Sequence, residues 1–545
     1  MSARSTLLAT LLLLVAFAIA GVAADRIVRS HVSPDSRAAQ LAHSGKVEGA
    51  ELLYWQLLQD GPVTVPMVVS FLDAHERAIF DAAPVLTTRG DASHAGLRVH
   101  LGPAVEEAKI DAFLARADLP AGVGLLGRYW RGVVRDAVDE DVERDVVHAA
   151  DTEPPLPWAN HLLAEDALRN LHFDEAAARF LREGARYEGG PRDADPRAGD
   201  VDAALSLWAD AGAWDQVHQA LSDPRVAAHA DPWLQLRAAI RVHDWKRAAR
   251  AYLRCLPPSI TLGTALLASI AALAWGTFCA RLGELGARPR LRAPLYLAAF
   301  VLGFLSVSLT LAIVALEEGL LQMTESGNPL RDALFFTFGV GLREEGSKLL
   351  FFAPLLPILH RKGTRLDVLV CGALVGLGFA AEENLGYLRA GDLATGMARF
   401  LTANFLHMSM TAILAGALDD LLRAKDDTGS MSFSKALLTV AAMHGAYDFF
   451  LSSHTYENQS WLAMMIFLLL ARWFLALVSV ARAKERAANA RLLETFGLGM
   501  AVVIGGSFVY ASALVGPAAA GSALAEGLLG LGIIIILFVQ ELRRV

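Results

Sequence analysis

The chain has 545 residues, of which 54% are hydrophobic and 19% charged, with a formal net charge of −8. Charged residues make up roughly 25% of ordinary globular chains, so this composition excludes a largely disordered protein and a simple cytosolic enzyme. The acidic balance argues against a nucleic-acid partner, which calls for a basic stripe, and three cysteines (Cys255, Cys279, Cys371) without metal-type spacing define neither a disulfide framework nor a zinc knuckle.

Arg4 precedes an uncharged stretch, Ser5–Ala24, that closes on the small residues Ala23 and Ala24. Residues 1–24 therefore read as a signal peptide or an uncleaved signal anchor, and both readings send the next segment across the membrane. Residues 25–258 are dense in charge and hold no apolar run long enough to span a bilayer, which predicts an extracytoplasmic α-helical domain. Three of its stretches resemble one another. Phe173-Asp174-Glu175-Ala176 leads to Phe180, Trp214-Asp215-Gln216-Val217 to Leu221, and Trp245-Lys246-Arg247-Ala248 to Tyr252. Each marks one face of a helix, and helical stretches such as Ala164–Leu171 and Leu234–Val242 precede them. The pattern resembles tetratricopeptide helix pairs at irregular spacings of 41 and 31 residues, and a domain of that kind would bind a protein partner.

Residues 259–545 predict membrane. A spanning helix needs ~20 mainly apolar residues. Candidates are Ser259–Ala280, Ala293–Leu316, Ala333–Leu359, Leu366–Tyr387, Phe400–Leu418, Ala436–Leu451, Trp461–Val480, Phe496–Val515 and Ala523–Val539. The expected fold is all-α, a polytopic membrane helix bundle of about nine spans plus the N-terminal helix. Basic residues gather in alternate loops: Arg281, Arg288, Arg290 and Arg292; Arg361, Lys362 and Arg365; Arg423, Lys425 and Lys435; Arg482, Lys484, Arg486 and Arg491; Arg543 and Arg544. By the positive-inside rule these loops and the C-terminus are cytoplasmic, which leaves residues 25–258 outside, as for a protein of a bacterial-type inner or plasma membrane.

Several spans carry charges that apolar surroundings penalise by ~2.5–3.5 kcal/mol each when unpaired. The third holds Arg343-Glu344-Glu345 and Lys348, with both acids at helical spacing from the lysine. The fourth ends in Glu382-Glu383-Asn384. The fifth holds His407, with Thr411 one turn on. The sixth holds His444 and, four residues on, Asp448. At a rise of ~1.5 Å per residue, all four spans present these groups in the middle and outer half of a ~30 Å core. Carboxylates and imidazoles without a serine or cysteine nucleophile suit activation of water. A glutamate can serve as general base with histidine steadying the oxyanion. Equally, two histidines and one or two glutamates can bind zinc, the metal candidates being His407, His444 and Glu383. The two routes stay open. No H-E-x-x-H run is present, so a zincin-type protease is not supported.

Taken in order, Glu344-Glu345-x-x-Lys348, Phe379-Ala-x-x-Glu383-Asn384-x-x-Tyr387, His407 and His444-Gly-x-Tyr-Asp448 resemble the PrsW family of intramembrane proteases, and more distantly the CAAX-processing endopeptidases. The resemblance covers about residues 293–451. It implies an endopeptidase that cuts a membrane-associated protein, such as an anti-sigma factor or another regulator. In that picture Glu344 and Glu345 supply the general base and Lys348 holds their ionisation. Glu383 and Asn384 support the site, His407 and His444 bind water, metal or oxyanion, and Asp448 orients His444. Two other readings compete. Buried Glu, Lys, His and Asp also mark ion- or proton-coupled transporters, although no second copy of the motifs occurs in the later spans. A non-catalytic scaffold leaves the four-span constellation without a reason. Arg472, inside the seventh span, is expected to pair with a buried acid such as Asp448 or to mark a broken helix.

Overall fold

The computed structural model describes residues 3–29, 33–43, 47–82, 105–120, 122–188, 196–256, 261–390, 393–424, 428–452, 459–485 and 491–543. Lys425, Arg486 and Arg544 of the basic loops, and the expected boundary at Pro258, lie outside these residues. Helices with connecting turns make up the described residues, and no strand occurs among them. The chain forms two compact units, residues 29–251 and residues 1–28 together with 252–545.

Among the described residues the second of these holds nine long helices and the shorter α4: α1 (Ala3–Arg29), α2 (Leu262–Leu282), α3 (Pro289–Leu316), α4 (Arg343–Phe352), α5 (Arg365–Ala390), α6 (Leu393–Arg423), α7 (Thr428–Ser452), α8 (Ser460–Glu485), α9 (Leu492–Val515) and α10 (Pro517–Leu542). Among the described residues five helical stretches are long and apolar enough to cross a membrane: Leu262–Leu282, Pro289–Leu321, Arg399–Arg423, Ser460–Glu485 and Leu492–Val515. The protein is an integral membrane protein. The other stretches expected to span are helical too, within α5, α7 and α10, except the third. Ala333–Leu359 is not one regular helix. A short helix, Pro329–Leu334, runs into a widened π-helical stretch, Phe335–Leu342, before α4 begins at Arg343. Such widening is frequent at functional sites.

α5 is the axis of this unit. Every side chain from Leu366 to Ala381 is buried, as expected of a helix that is apolar on all faces. Close approach depends on small residues. A Cβ on Gly376 would collide with the carbonyl oxygen of His407 in α6, and one on Gly341 with the carbonyl oxygen of Ala441 in α7. At one end of the bundle a second polar cluster ties α3, α5 and α8. The buried Arg292 donates through Nε to Asp367 Oδ1 (2.7 Å) and through Nη2 to Glu485 Oε2 (3.3 Å). In addition α1 lies against α9, with Gly21 facing Phe508 and Ser512, and Gly505 facing Phe17. Arg472 departs from expectation. α8 runs unbroken through it, the side chain is 70% exposed, and its acid is Glu541 at 3.8 Å, not Asp448.

Residues 29–251 pack around two successive apolar cores, one spanning Ala38 to Leu163 and the next Ala164 to Ala238. Three helix pairs share one turn: Ala159–Arg169 with Phe173–Gly184, Asp200–Asp210 with Trp214–Ala220, and Pro232–Arg241 with Trp245–Cys255. Leu171, Gly212 and His243 each take a left-handed conformation two residues before the aromatic. The next N–H then reaches back five residues, from His172 to Ala167 O, Ala213 to Trp208 O and Asp244 to Ala239 O. The same helix stop also closes Val123–Val134, where Asp136 is left-handed and the Ala137 N–H reaches Gly132 O.

In the first core the buried His75 is held between Glu51 Oε1 at Nδ1 (2.8 Å) and Glu107 Oε1 at Nε2 (3.0 Å), with Arg131 and Arg135 paired to Glu107. Burial alone would lower the imidazole pKa, but the two carboxylates outweigh it and hold His75 above its ordinary value. A raised histidine contributes stability fully present below its unfolded pKa, near 6.5, and lost as pH rises through its folded value. Hydrogen exchange on the full-length protein, corrected for intrinsic rates, is therefore expected to show residues 47–82 losing protection as the pH is raised from the unfolded value, near 6.5, through the higher folded value. His75→Gln should flatten that profile, and a flat wild-type profile would refute the assignment.

Candidate active site

The centre is built on Lys348 in α4, whose side chain is fully buried. An ammonium has three N–H groups and no acceptor, and all three are used. Lys348 Nζ donates to Glu345 Oε1 (2.7 Å), to Glu344 Oε2 (3.3 Å) and to His407 Nδ1 of α6 (2.8 Å). The Phe379 ring of α5 lies over the same nitrogen, 3.9 Å from its centroid, and adds a cation–π contact. The helical spacings read from the sequence place both glutamates beside the lysine, as observed.

Each partner is held in turn. Glu345 is fully buried and also receives Thr411 Oγ1 (3.4 Å), with His444 Nδ1 of α7 3.1 Å from Oε1. His444 Nε2 lies 3.3 Å from Asp448 Oδ2 and 3.6 Å from Glu344 Oε2. The partners of His407 dictate its tautomer. Nδ1 faces a pure donor and must accept, while Nε2 faces Glu383 Oε2 at 3.0 Å and must carry the hydrogen. Glu383 stands behind His407 and not beside His444. In this centre Glu344, His407 and His444 can each offer one ligand atom, all within 4.8 Å of one another. Asn384 donates through Nδ2 to Asn404 Oδ1 (2.8 Å). The four spans named from the sequence thus meet, and all eight expected residues lie in or against one cluster.

Arg399 belongs to the same cluster, although it lies one residue outside the expected span Phe400–Leu418. Its Nη2 lies 2.9 Å from Glu383 Oε2, its Nε donates to Asn384 Oδ1 (3.3 Å), and its guanidinium stacks 3.5 Å over the Tyr387 ring. The available signal was its position, two helical turns before His407 and so on the same face of α6. Arg343 is likewise paired, with Glu317 at the widened end of α3. Side-chain exposure rises from zero at Glu345 and Lys348 through 10% at Glu344 to 21% at Glu383 and 28% at Asp448. The centre therefore has a closed floor and a mouth beside Glu383, Asp448 and Tyr387.

Paired carboxylates, two imidazoles and a fully bonded cation, set among apolar helices, make a membrane-embedded polar centre of the kind that activates water. Residues 292–476, about a third of the chain, match the model of the PrsW family intramembrane metalloprotease. The chain carries a PrsW-family domain and is a membrane protease. No curated protein and no solved structure matches the chain.

Because Arg399 holds the carboxylate that fixes His407, Arg399→Gln is expected to lower peptide cleavage by about ten- to a hundredfold, the usual cost of losing an orienting outer partner. Lysine should restore only part, since it lacks the planar fork. Cleavage by the purified Arg399→Gln protein at the wild-type rate would refute the role.

Proposed function

We propose that the chain is an endopeptidase that hydrolyses a peptide bond of a single-span membrane protein, a regulator of the anti-sigma type, with water activated by the Glu344/His444/Asp448 side of the centre. The observation that carries this reading is the convergence of Glu344, Glu345, Lys348, Glu383, His407, His444 and Asp448 from four segments on one partly open cluster. Glu345, closed in by Lys348, Thr411 and His444, is the anchor. Glu344 is more open and holds the attacking water. The proton leaves water for the Glu344 carboxylate as the oxygen adds to the peptide carbon. It is then delivered through His444, oriented by Asp448, to the leaving amine as the C–N bond breaks.

The residues present also fit a divalent metal. Two imidazoles and a carboxylate are the donor chemistry of catalytic zinc sites, and Glu344, His407 and His444 would hold the ion. Bound there, zinc supplies Lewis-acid polarisation and a more acidic water. Glu383 behind His407 is the carboxylate partner that such ligands usually have.

The remaining parts belong to the same proposal. The bundle crosses the membrane about nine times, with the C-terminus cytoplasmic. α1 is a retained anchor, supported by its packing on α9. Residues 25–258 lie outside the cytoplasm and form a tetratricopeptide-like domain that receives the substrate or a partner, supported by the shared turn of its three helix pairs. Cysteine labelling in intact cells tests the topology. Single cysteines placed in residues 25–258 should react with an impermeant maleimide, and those beside Arg361 should not. The opposite pattern would overturn the topology.

The chemistry is tested with purified protein and a panel of single-span peptides. Glu344→Gln and Glu345→Gln are each expected to lose cleavage by about 10²–10⁴-fold, the range of general acid–base catalysis. Glu345→Gln should also lower thermal stability, because it strips Lys348 of its closest carboxylate. A chelator should abolish wild-type cleavage if the metal reading holds. Full activity in both variants would refute the site.

A further inference from the structure

Two of the three groups that would hold a metal are already occupied. Lys348 takes Glu344 Oε2 at 3.3 Å and His407 Nδ1 at 2.8 Å. The second is decisive, because an imidazole nitrogen has one in-plane lone pair. His407 Nε2 carries its hydrogen toward Glu383, so Nδ1 is the only nitrogen free to ligate, and its lone pair points at the ammonium. A divalent ion on Glu344, His407 and His444 would therefore meet a positive charge within hydrogen-bond distance of two of its ligands, in surroundings that screen charge poorly.

We infer that Lys348 and a divalent metal ion compete for one place. The ammonium is the resident cation of the metal-free centre, and a metal ion enters only as Lys348 gives up His407 and Glu344. This rests on the protease reading and adds a form of regulation to it: the centre holds an internal counter-ion that keeps the carboxylates and His407 in place until a metal displaces it. It also assigns the second glutamate. Glu345, 2.7 Å from Lys348 Nζ and outside the ligand group, is the carboxylate on which the displaced ammonium remains anchored.

The test uses full-length protein in detergent, stripped of metal, at one fixed pH. Wild type, Lys348→Met, Lys348→Gln and Lys348→Arg are titrated with Co²⁺, read by its visible absorption, and with Zn²⁺ against a chromophoric chelator. The neutral variants are expected to bind at least about tenfold tighter than wild type, a gain of about 1.4 kcal/mol. Lys348→Arg, which keeps the charge, should bind no tighter than wild type. Adding Glu344→Gln to Lys348→Met should remove the gain. If gel filtration shows either neutral variant misfolded, Glu345→Gln/Lys348→Met, which removes one charge of each sign, is read in its place. Neutral variants that bind no tighter than wild type would overturn the inference.

Peptide cleavage is scored separately. A wild type that cuts, beside neutral variants that gain no affinity, sinks the competition and leaves the protease reading standing. Gained affinity with no cleavage of any peptide does the reverse.

Discussion

A charged lysine with no exposed surface, inside a helix bundle built for hydrocarbon, is the constraint from which the rest of this centre follows. Leaving one partner of a buried charge unpaired costs about 3–5 kcal/mol, so the ammonium demands three acceptors and finds them in Glu345, Glu344 and His407. Each acceptor makes a demand of its own. Glu345 is matched by Thr411 and His444, His407 by Glu383, Glu383 by Arg399, and Arg399 in turn by Asn384 and the Tyr387 ring. In a low-dielectric interior such a chain is worth most when complete and becomes a liability when any member is removed.

That chain sets terms for the backbone. Glu345, His407 and His444 lie on three helices and must come within hydrogen-bond reach, so the helices carrying them cannot be spaced by large side chains. Gly376 lets α5 meet α6 at the carbonyl of His407, and Gly341 lets the widened stretch before α4 meet α7 three residues before His444. The π-helical stretch Phe335–Leu342 ends immediately before Arg343-Glu344-Glu345 and so sets the rotation at which the two glutamates face inward. The Arg292–Asp367–Glu485 cluster fixes α3, α5 and α8 where α5 begins, with Asp367 sixteen residues before Glu383 on the same helix. α5 is thereby held by polar contacts at both ends, with an apolar segment between them.

What could be read from the sequence follows from these same forces. Glu344, Glu345, Lys348, His407, His444 and Asp448 stood out because a charged or imidazole group within an apolar run is costly, and one-dimensional spacing sufficed to pair Lys348 with its glutamates. Arg399 did not stand out, because an arginine next to a span is common in loops, and only the fold carries it over Tyr387 toward Glu383. The division of labour between Glu344 and Glu383 was equally out of reach. Both precede or follow apolar runs in the same way, and only the packing of α4 against α6 and α7 puts Glu344 with the two histidines while Glu383 backs one of them. The third span was read as one helix because apolar length does not reveal a widened turn. A sequence does not show which face of α8 points outward, so it leaves Arg472 either to pair with a buried acid such as Asp448 or to break the helix, whereas the side chain stands outward near Glu541.

The shape of the centre constrains what it can cut. Its floor is sealed at Glu345 and Lys348, and exposure begins only at Glu344 and grows toward Asp448 and Tyr387. A peptide in a regular helix has its carbonyls engaged by N–H groups four residues on, and in an apolar medium freeing one without a new partner costs several kcal/mol. Attack on a carbonyl carbon therefore calls for a segment that is already unwound or that can exchange its internal bonds for those of the rim. The rim provides such groups in Arg399 and Tyr387, close to Glu383. A bond flanked by helix-breaking residues at the depth of that rim meets both conditions. A continuous apolar helix meets neither, however well it fits the bilayer.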